Sequence, residues 1–231
     1  MIDWHSHILP GMDDGSRDVE ESLALLEMQR QQDVDTVVAT PHFRPNDEPV
    51  SSFLERRADT FEELKAALPA NAPDIRLGAE VQYYAGISRM EDLKALRIEQ
   101  TDLLLLEMPM TVWSESMVKE LLELSGKTGI TLLLAHIDRY LGFQRHVNWD
   151  ELIQNGILMQ VNASFFTTKF TRRKAIAWLN KGRVHVIGSD CHNVTSRPPT
   201  IGKAYEAIRQ KCGDEYLLQM DEFGHFLLVD E

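Results

Sequence analysis

Seven short apolar runs, each followed by a stretch of helical character, constrain the fold of this 231-residue chain more than any other feature. The runs are near-continuously apolar rather than alternating, which is typical of parallel strands buried on both faces. Their sequences are MIDW, VDTVVAT, IRLGAEV, TDLLLLEM, ITLLLAH, GILMQVN and VHVIGSD. Strands that alternate with helices in this way predict an α/β fold with a parallel sheet, most economically a closed barrel.

Helical patterns cover 16–32, 51–68, 114–129, 148–156, 171–182 and 198–213. We expect Ser16 to cap the first helix, because acidic residues follow in its opening turn.

No Gly/Ser-rich, Pro-rich or charged linker interrupts the chain, so residues 1–231 are expected to form one domain. An open doubly wound sheet is the alternative fold. Neither GxGxxG nor GxxxxGK(S/T) follows any run, so nucleotide binding is not indicated.

The net charge of −12 at pH 7 argues against nucleic acid or an anionic membrane as the main partner, because both require a basic surface. The longest apolar stretches are far too short to span a bilayer, and the first residues lack the pattern of a signal peptide. Two cysteines, Cys191 and Cys212, do not make a disulfide framework. We therefore expect a cytoplasmic protein without direct membrane insertion.

Side chains that can bind metal ions stand where the apolar runs end. They are His5, His7, His42, Glu80, Glu107, His136, Asp190 and His192, and Asp14 follows the first pair of histidines. In a parallel barrel the carboxyl ends of the strands converge on one face, where catalytic sites lie. A single histidine at a strand end is more often structural, but the whole set together predicts a metal cluster. Imidazole and carboxylate ligands suit Mn, Fe or Zn, and their number suits two or three ions.

The same motifs resemble the PHP (polymerase and histidinol phosphatase) family of metal-dependent hydrolases. They are HSH after the first run, TPH after the second, a Glu ending the third, AHIDRY at the fifth and SDCHN…RPP at the seventh. Within that family, the opening MIDWHSHILPGMDDG and the stretch HNVTSRPP are similar to the CpsB/CapC-type bacterial protein-tyrosine phosphatases, which act in capsule and exopolysaccharide production. The resemblance extends from Met1 to about Gln210.

The resemblance implies a distorted (β/α)7 barrel of the PHP type with three divalent metal ions, usually Mn, with Fe, Zn, Co or Mg as other candidates. It implies one ion held by His5, His7, Glu80 and Asp190, a second held by Glu80, Glu107 and His136, and a third held by Asp14, His42 and His192. Glu80 would bridge the first two ions. Asp13 receives no role.

The chemistry expected at such a centre is attack of a metal-generated hydroxide on phosphorus, because metal ions lower the pKa of bound water to ~7. Arg139 and Arg197 are the expected catalytic and substrate-binding cations, since a guanidinium matches two phosphate oxygens. A tyrosine phenolate, with a parent pKa of ~10, leaves more easily than an alkoxide, so no catalytic acid is assigned. The family implies phosphotyrosine on protein as substrate, in the tyrosine-rich tail of a bacterial polysaccharide-assembly tyrosine autokinase.

Three other interpretations stay open at this point. The stretch from Cys191 to Arg197 has the Cys-x5-Arg spacing of thiol-dependent tyrosine phosphatases, although it contains no glycine and Asp190 precedes the thiol. A phosphoesterase for a small molecule, such as histidinol phosphate or a nucleotide, would use the same ligands. A non-catalytic metal-binding or scaffold protein is the third interpretation, and an oligomer is compatible with each of them.

Aromatic residues in the loops after the runs have two interpretations. Phe43, Trp113, Phe165 and Phe166 either stack on a substrate ring at the mouth of the site or pack in the core. The remaining histidines, His146, His185 and His225, fit no ligand pattern and are expected to be structural or on the surface.

Overall fold

The computed structural model describes residues 1–229, in which parallel strands alternate with helices. The last two residues of the predicted domain 1–231 therefore lie outside the described residues. The strands are β1 (Ile2–Ser6), β2 (Thr36–Ala39), β3 (His42–Phe43), β4 (Asp74–Leu77), β5 (Glu80–Gln82), β6 (Leu103–Glu107), β7 (Thr131–Leu134), β8 (Leu158–Asn162) and β9 (Val186–Gly188). All of their pairings are parallel, as the apolar runs predict.

These strands occupy seven positions around a barrel. After a break at Pro41, β3 continues the position of β2, and β5 continues β4 after a break at Gly78. Hydrogen bonds bridge the breaks: the Gly78 N–H donates to the carbonyl of Ala39 over 2.8 Å, and the Glu80 N–H donates to that of Pro41 over 3.0 Å. The second and third predicted strands are therefore correct in place but divided. At the break before β3, Pro41 cannot donate a ladder hydrogen bond.

Contacts between β9 and β1 close the barrel. The Asp190 N–H donates to the carbonyl of His5 over 2.8 Å, and the His7 N–H donates to that of Cys191 over 2.9 Å. The order around the barrel is thus β1, β2/β3, β4/β5, β6, β7, β8 and β9, returning to β1. Closure brings the first and last predicted ligand motifs side by side, although more than 180 residues separate them in the chain.

The helices lie close to their predicted places. They are α1 (Val19–Arg30), α2 (Val50–Ala67), α3 (Glu115–Ser125), α4 (Trp149–Gln154), α5 (Ser164–Thr167), α6 (Arg172–Leu179), α7 (Ile201–Cys212) and α8 (Asp214–Leu227). The short α5 and the final α8 have no counterpart among the predicted stretches. The predicted cap of α1 is wrong, because the Asp18 side chain accepts the Glu21 N–H over 2.8 Å. Ser16 instead donates its N–H to the carbonyl of His7 and holds the loop before the helix.

Two apolar layers surround the strands, which explains why the runs lack alternation. Leu104 and Leu106 belong to the layer between the sheet and the helices, whereas Leu103 and Leu105 pack inside the barrel. Because side chains along a strand alternate between faces, Glu107 takes the next inward position. The barrel interior is therefore apolar along most of the strand length and carries polar groups at the carboxyl ends of the strands.

Helix α8 closes the opposite end of the barrel. A Cβ at Gly224 would lie 3.2 Å from Ile2 Cδ1 and 3.5 Å from Trp4 Nε1, so a glycine lets the helix approach β1 closely. Leu228, directly after the helix, joins Ile2 and Trp4 in the interior cluster. The site is therefore reached from the carboxyl ends of the strands. Within residues 1–229, none of the helices combines the length and apolar character that crossing a membrane requires.

Candidate metal centre

The side chains singled out in the sequence meet at the carboxyl ends of the strands. Histidines from the ends of β1, β3, β7 and β9 form a cluster in which neighbouring ring centroids lie 3.9–6.3 Å apart. Five of the eight histidines of the chain are in this cluster: His5, His7, His42, His136 and His192. Carboxylates from four different segments interleave with them, namely Asp14, Glu80, Glu107 and Asp190.

Glu80 lies at the middle of the cluster and is only 1% exposed. Its Oε2 is 3.2 Å from Nε2 of both His5 and His7 and 3.0 Å from Nδ1 of His42. Its Oε1 accepts a hydrogen bond from His136 Nε2 over 2.8 Å. One carboxylate thus faces four imidazoles from three strand ends, those of β1, β3 and β7, as a bridging ligand would.

Three groups of ligand atoms lie close enough to share an ion, with all atoms of each group within 4.8 Å of one another. They are His7, Asp14, His42 and His192; His5, His7 and Asp190; and His42, Glu80 and Glu107. The group around Asp14 contains all three residues that the resemblance implies for the third ion, and adds His7. The group with His5, His7 and Asp190 lacks only Glu80 of the set implied for the first ion. The group with Glu80 and Glu107 has His42 in the place of His136, which was expected for the second ion.

His136 nevertheless faces the same two carboxylates. Its Nε2 is 2.8 Å from Glu80 Oε1 and 3.5 Å from Glu107 Oε1. Asp14 differs from the other ligands in being 61% exposed, and its two oxygens approach His42 Nε2 at 3.4 Å and His192 Nε2 at 3.7 Å. The loop that carries it therefore folds back across the mouth of the barrel.

Orphaned polar atoms indicate that these residues fit divalent metal ions. His136 Nδ1 and His192 Nε2 are buried and have no hydrogen-bond partner among residues 1–229, and the close pair Glu80 Oε2 and His42 Nδ1 lacks the geometry of a hydrogen bond. Buried polar atoms without partners are rare in native proteins, because each loses its hydration without compensation. Imidazole nitrogens and carboxylate oxygens turned into one shared space are the donor set that Mn, Fe or Zn prefers.

The backbone at two candidate ligands adopts an uncommon conformation. His136 has a φ of 31° and Asp190 a φ of 53°, in the left-handed region that L-residues avoid. Such residues cost about 1–3 kcal/mol each and cluster at functional sites. Close approach also matters beside β1, because a Cβ at Gly188 would lie 2.5 Å from His5 Cβ. Two of the proposed ligands therefore coincide with uncommon backbone conformations, and Gly188 lets β9 approach β1 beside His5.

Charges inside the cluster depend strongly on one another. Burial by itself would raise the pKa of Glu80, but the neighbouring imidazoles hold it well below its usual range. Burial would lower the pKa of His136, but contacts with Glu107 and Glu80 outweigh it and raise that pKa to about 9. A proton on His136 thus offsets part of the negative charge of Glu80 and Glu107. A metal ion bound there would replace this proton, so metal affinity is expected to rise with pH.

Two arginines stand beside the cluster and reach solvent. Arg197 Nη2 is 2.8 Å from Asp190 Oδ1, and Arg139 Nη1 is 3.7 Å from Asp190 Oδ2. Their side chains are 39% and 44% exposed. Each guanidinium therefore keeps donors free for an anion that enters the mouth.

Comparison with known proteins shows the family of this chain. The family model described as "Capsular polysaccharide synthesis, CpsB/CapC" matches residues 1–222. The chain belongs to the CpsB/CapC family. It is 33% identical over 225 residues to the tyrosine-protein phosphatase CpsB of Streptococcus pneumoniae, covering 92% of this chain and 91% of that protein. It is 32% identical over 240 residues to CpsB of Streptococcus agalactiae, covering 95% and 94%.

A solved structure also resembles this CpsB/CapC chain. It comes from work on YwqE of Bacillus subtilis and CpsB of S. pneumoniae, described as metal-dependent tyrosine phosphatases. The TM-score is 0.83 at 23% identity, with 99% of this chain and 94% of the other covered. At that identity the likeness shows the fold. The predicted distorted (β/α)7 barrel of the PHP type is confirmed.

Cys191 lies in this CpsB/CapC member where a nucleophile cannot act. The thiol is fully buried, and burial raises its pKa far above the ordinary range, with Asp3 and Asp190 adding to the effect. Asn193 Oδ1 accepts the backbone N–H groups of Ser196 over 2.7 Å and Arg197 over 3.2 Å. A thiol-dependent phosphatase needs such N–H groups for the phosphate. The geometry therefore argues against the thiol mechanism.

The four loop aromatics of the CpsB/CapC chain do not line the mouth. Phe43 is 1%, Trp113 1%, Phe165 4% and Phe166 0% exposed, so the interpretation as core residues is correct. The other histidines also lie outside the cluster: His146 Nε2 contacts the carbonyl of Trp113, and His185 Nδ1 accepts the Met159 N–H over 3.0 Å.

Two buried side chains beside the metal centre were not found from sequence. Gln160 Oε1 accepts the His136 N–H over 2.5 Å and lies 3.2 Å from His5 Nδ1. Asp13 Oδ2 lies 2.7 Å from His7 Nδ1. A signal existed for Gln160, since an amide in the middle of the apolar run LMQVN must have a buried partner. Gln160 lies two residues before Asn162 on the same strand, so both polar side chains are on the same, inward face.

Proposed function

We propose that this chain is a metal-dependent phosphatase that hydrolyses phosphotyrosine on a protein substrate. The observation that carries the proposal is the cluster of five histidines and four carboxylates beneath two partly exposed arginines. Membership of the CpsB/CapC family supports it, because relatives that match over nine-tenths of their length are named tyrosine-protein phosphatases. Two partly exposed arginines beside a cluster that would hold divalent cations suit a phosphate ester.

The ligand assignment is part of the proposal. We assign three divalent ions, with Mn as the first candidate, to the three implied sets, and Glu80 as the bridge between two of them. The ligands are His5, His7, Asp14, His42, Glu80, Glu107, His136, Asp190 and His192. Divalent ions bound there supply a nucleophile at neutral pH and offset charge on the phosphoryl oxygens.

Arg139 and Arg197 bind the phosphate and orient it. Both contact the Asp190 carboxylate, so their guanidinium groups are held at the mouth while 44% of the Arg139 side chain and 39% of the Arg197 side chain face solvent. The Asn193 side chain ties the loop that carries Arg197, which limits the positions this arginine can take. Charge-assisted hydrogen bonds from both arginines stabilise the additional charge that develops on the phosphoryl oxygens.

The leaving group needs little help at this site. A phenolate has a parent pKa of ~10 and departs without a strong acid. The tyrosine-rich tail of a bacterial tyrosine autokinase is the proposed physiological substrate, and its phosphotyrosines would enter from the open end of the barrel. Cys191 and Cys212 are free thiols, which suits a reducing compartment and supports a cytoplasmic location.

Substrate comparison tests this function. Purified protein supplied with Mn²⁺ is assayed on a phosphotyrosine peptide and on histidinol phosphate under identical conditions. We expect kcat/KM for the peptide to be higher by ~10²-fold or more, which corresponds to about 3 kcal/mol of differential transition-state stabilisation. Faster hydrolysis of histidinol phosphate would identify a small-molecule phosphoesterase instead, and no turnover of either ester would favour a non-catalytic protein.

Substitution of the two arginines tests the phosphate-binding role. Arg139→Ala and Arg197→Ala are each expected to lower kcat/KM for the peptide by ~10²-fold, the usual cost of one donor to a developing oxyanion. The lysine variants should recover only part of this loss, because lysine lacks the planar fork. Arg145→Ala is the matched control, since Arg145 is exposed in the segment that follows Arg139. Equal effects of all three alanine variants would contradict the assignment.

A further inference from the structure

Asp13 is a buried carboxylate that contacts three segments of the metal centre. Its side chain is 2% exposed. Oδ2 lies 2.7 Å from His7 Nδ1 and accepts the His42 N–H over 2.8 Å, and Oδ1 accepts the Gly15 N–H over 2.9 Å. These partners belong to the end of β1, the start of β3 and the loop that carries Asp14. The Asp13 side chain thus contacts the ring of one proposed ligand, His7, the backbone of a second, His42, and the residue that follows a third, Asp14.

The contact with His7 decides how that imidazole is presented. An ionised carboxylate only accepts hydrogen bonds, so the proton of the short His7–Asp13 contact belongs to Nδ1. Nε2 is then the ring nitrogen available to a metal ion. It lies 3.2 Å from Glu80 Oε2 and 3.5 Å from Asp190 Oδ1, in the middle of the ligand cluster. The geometry is that of a carboxylate–histidine–metal arrangement, in which the outer carboxylate fixes the tautomer and the orientation of the ring.

We infer that Asp13 is a positioning residue of the metal centre, which orients His7 and fastens the Asp14 loop and His42 around it. The inference rests on the ligand assignment of the proposed function. Gly15 supports it, because a Cβ at that position would collide with the carbonyl and Cβ of His7. Only glycine lets the loop come near enough for the Asp13 carboxylate to reach the ring.

The chain contains a matched carboxylate remote from the proposed ligands. Glu120 is 9% exposed, accepts the hydroxyl of Tyr83 over 2.7 Å and accepts the N–H groups of Gly86 and Ser88 over 2.9 and 3.1 Å. Like Asp13, it has three donors, two of them from the backbone, but none belongs to a proposed ligand. Glu120→Gln therefore measures what a merely structural carboxylate contributes.

The experiment compares Asp13→Asn, Glu120→Gln, His7→Ala and the unmodified protein. Each is freed of metal, and Mn²⁺ affinity is measured by calorimetry while folding is followed by circular dichroism. We expect Asp13→Asn to weaken Mn²⁺ binding by ~10–100-fold, as loss of such a supporting contact does elsewhere, and Glu120→Gln to leave it unchanged. Phosphotyrosine hydrolysis by Asp13→Asn should recover at raised Mn²⁺ concentration.

The outcomes separate this inference from the ligand assignment. If His7→Ala loses Mn²⁺ affinity while Asp13→Asn binds like the unmodified protein, the inference is wrong and the ligand assignment stands. If His7→Ala also binds normally, the assignment of His7 is wrong and the inference falls with it. Equal losses for Asp13→Asn and Glu120→Gln would mean general destabilisation and would also overturn it.

A second measurement does not require a variant to fold. The unmodified protein is loaded with Zn²⁺, which is diamagnetic, and the ring nitrogens of His7 are observed in a long-range ¹H–¹⁵N correlation spectrum. We expect the proton on Nδ1 and none on Nε2. A proton on Nε2 would contradict the role of Asp13, whatever the affinities are.

Discussion

Removal of metal ions with a chelator will abolish hydrolysis of a phosphotyrosine peptide, and Mn²⁺ added afterwards will restore it. Metal ions supply several kcal/mol of transition-state stabilisation, so the expected loss is ~10³-fold or more. Without metal ions, the contacts of Glu80 with the surrounding imidazoles do not lower the pKa of water as a bound metal ion does. Metal content measured in the same samples must fall and rise with the activity.

Replacement of the Cys191 thiol tests the alternative, thiol-dependent mechanism in the same assay. Cys191→Ser should retain activity, because the thiol is fully buried and the backbone N–H groups of the following loop are bound by Asn193. Serine also keeps the volume nearly unchanged. Activity that survives the chelator but disappears in Cys191→Ser would reverse the mechanism in favour of the Cys-x5-Arg interpretation.

Glu80→Gln will be the most damaging single substitution in the metal centre. The amide keeps the shape of the side chain but removes the negative charge that faces His5, His7, His42 and His136. A bridging ligand serves two of the proposed ions, so both should bind weakly. We expect kcat/KM to fall by ~10³-fold or more, the scale of a lost metal contribution of several kcal/mol.

Thermal unfolding separates this effect from a general loss of folding. A ligand that binds only the folded state raises Tm. Mn²⁺ should therefore raise the Tm of the unmodified protein and of Glu120→Gln, whose carboxylate is also buried and accepts three hydrogen bonds. Glu80→Gln should gain much less. A normal Mn²⁺-dependent rise in its Tm, together with normal turnover, would contradict the central role of Glu80.

Much of the site follows from where each apolar run stops. Side chains of parallel strands alternate, so a run such as LLLLE necessarily ends with Glu107 at the open end if Leu103 and Leu105 point inward. The same argument applies to Asp190 after β9. A charged group at that depth requires a partner, which is why ligand chemistry could be inferred before any contact was seen.

Other features of the site could not be derived in this way. The sequence DDG contains two adjacent aspartates of the same type, yet Asp14 is 61% exposed at the mouth while Asp13 is buried against His7. Their difference depends on how the loop turns after β1 and on how closely Gly15 approaches the His7 backbone. Local sequence preference does not distinguish two neighbouring identical side chains.

The parallel strand-helix plan, the family, and the types of side chain at the open end of the barrel could all be read from the amino-acid sequence, because hydrophobic period and chemical type are properties of each segment alone. The folded chain was needed to show that Phe43, Trp113, Phe165 and Phe166 pack in the core, that α8 closes the far end, and that Asp13 and Gln160 contact His7 and His5. Most of these outcomes depend on distances between residues far apart in the chain, such as His5 and Gln160, whereas the contact of Asp13 with His7 depends on how the loop turns after β1.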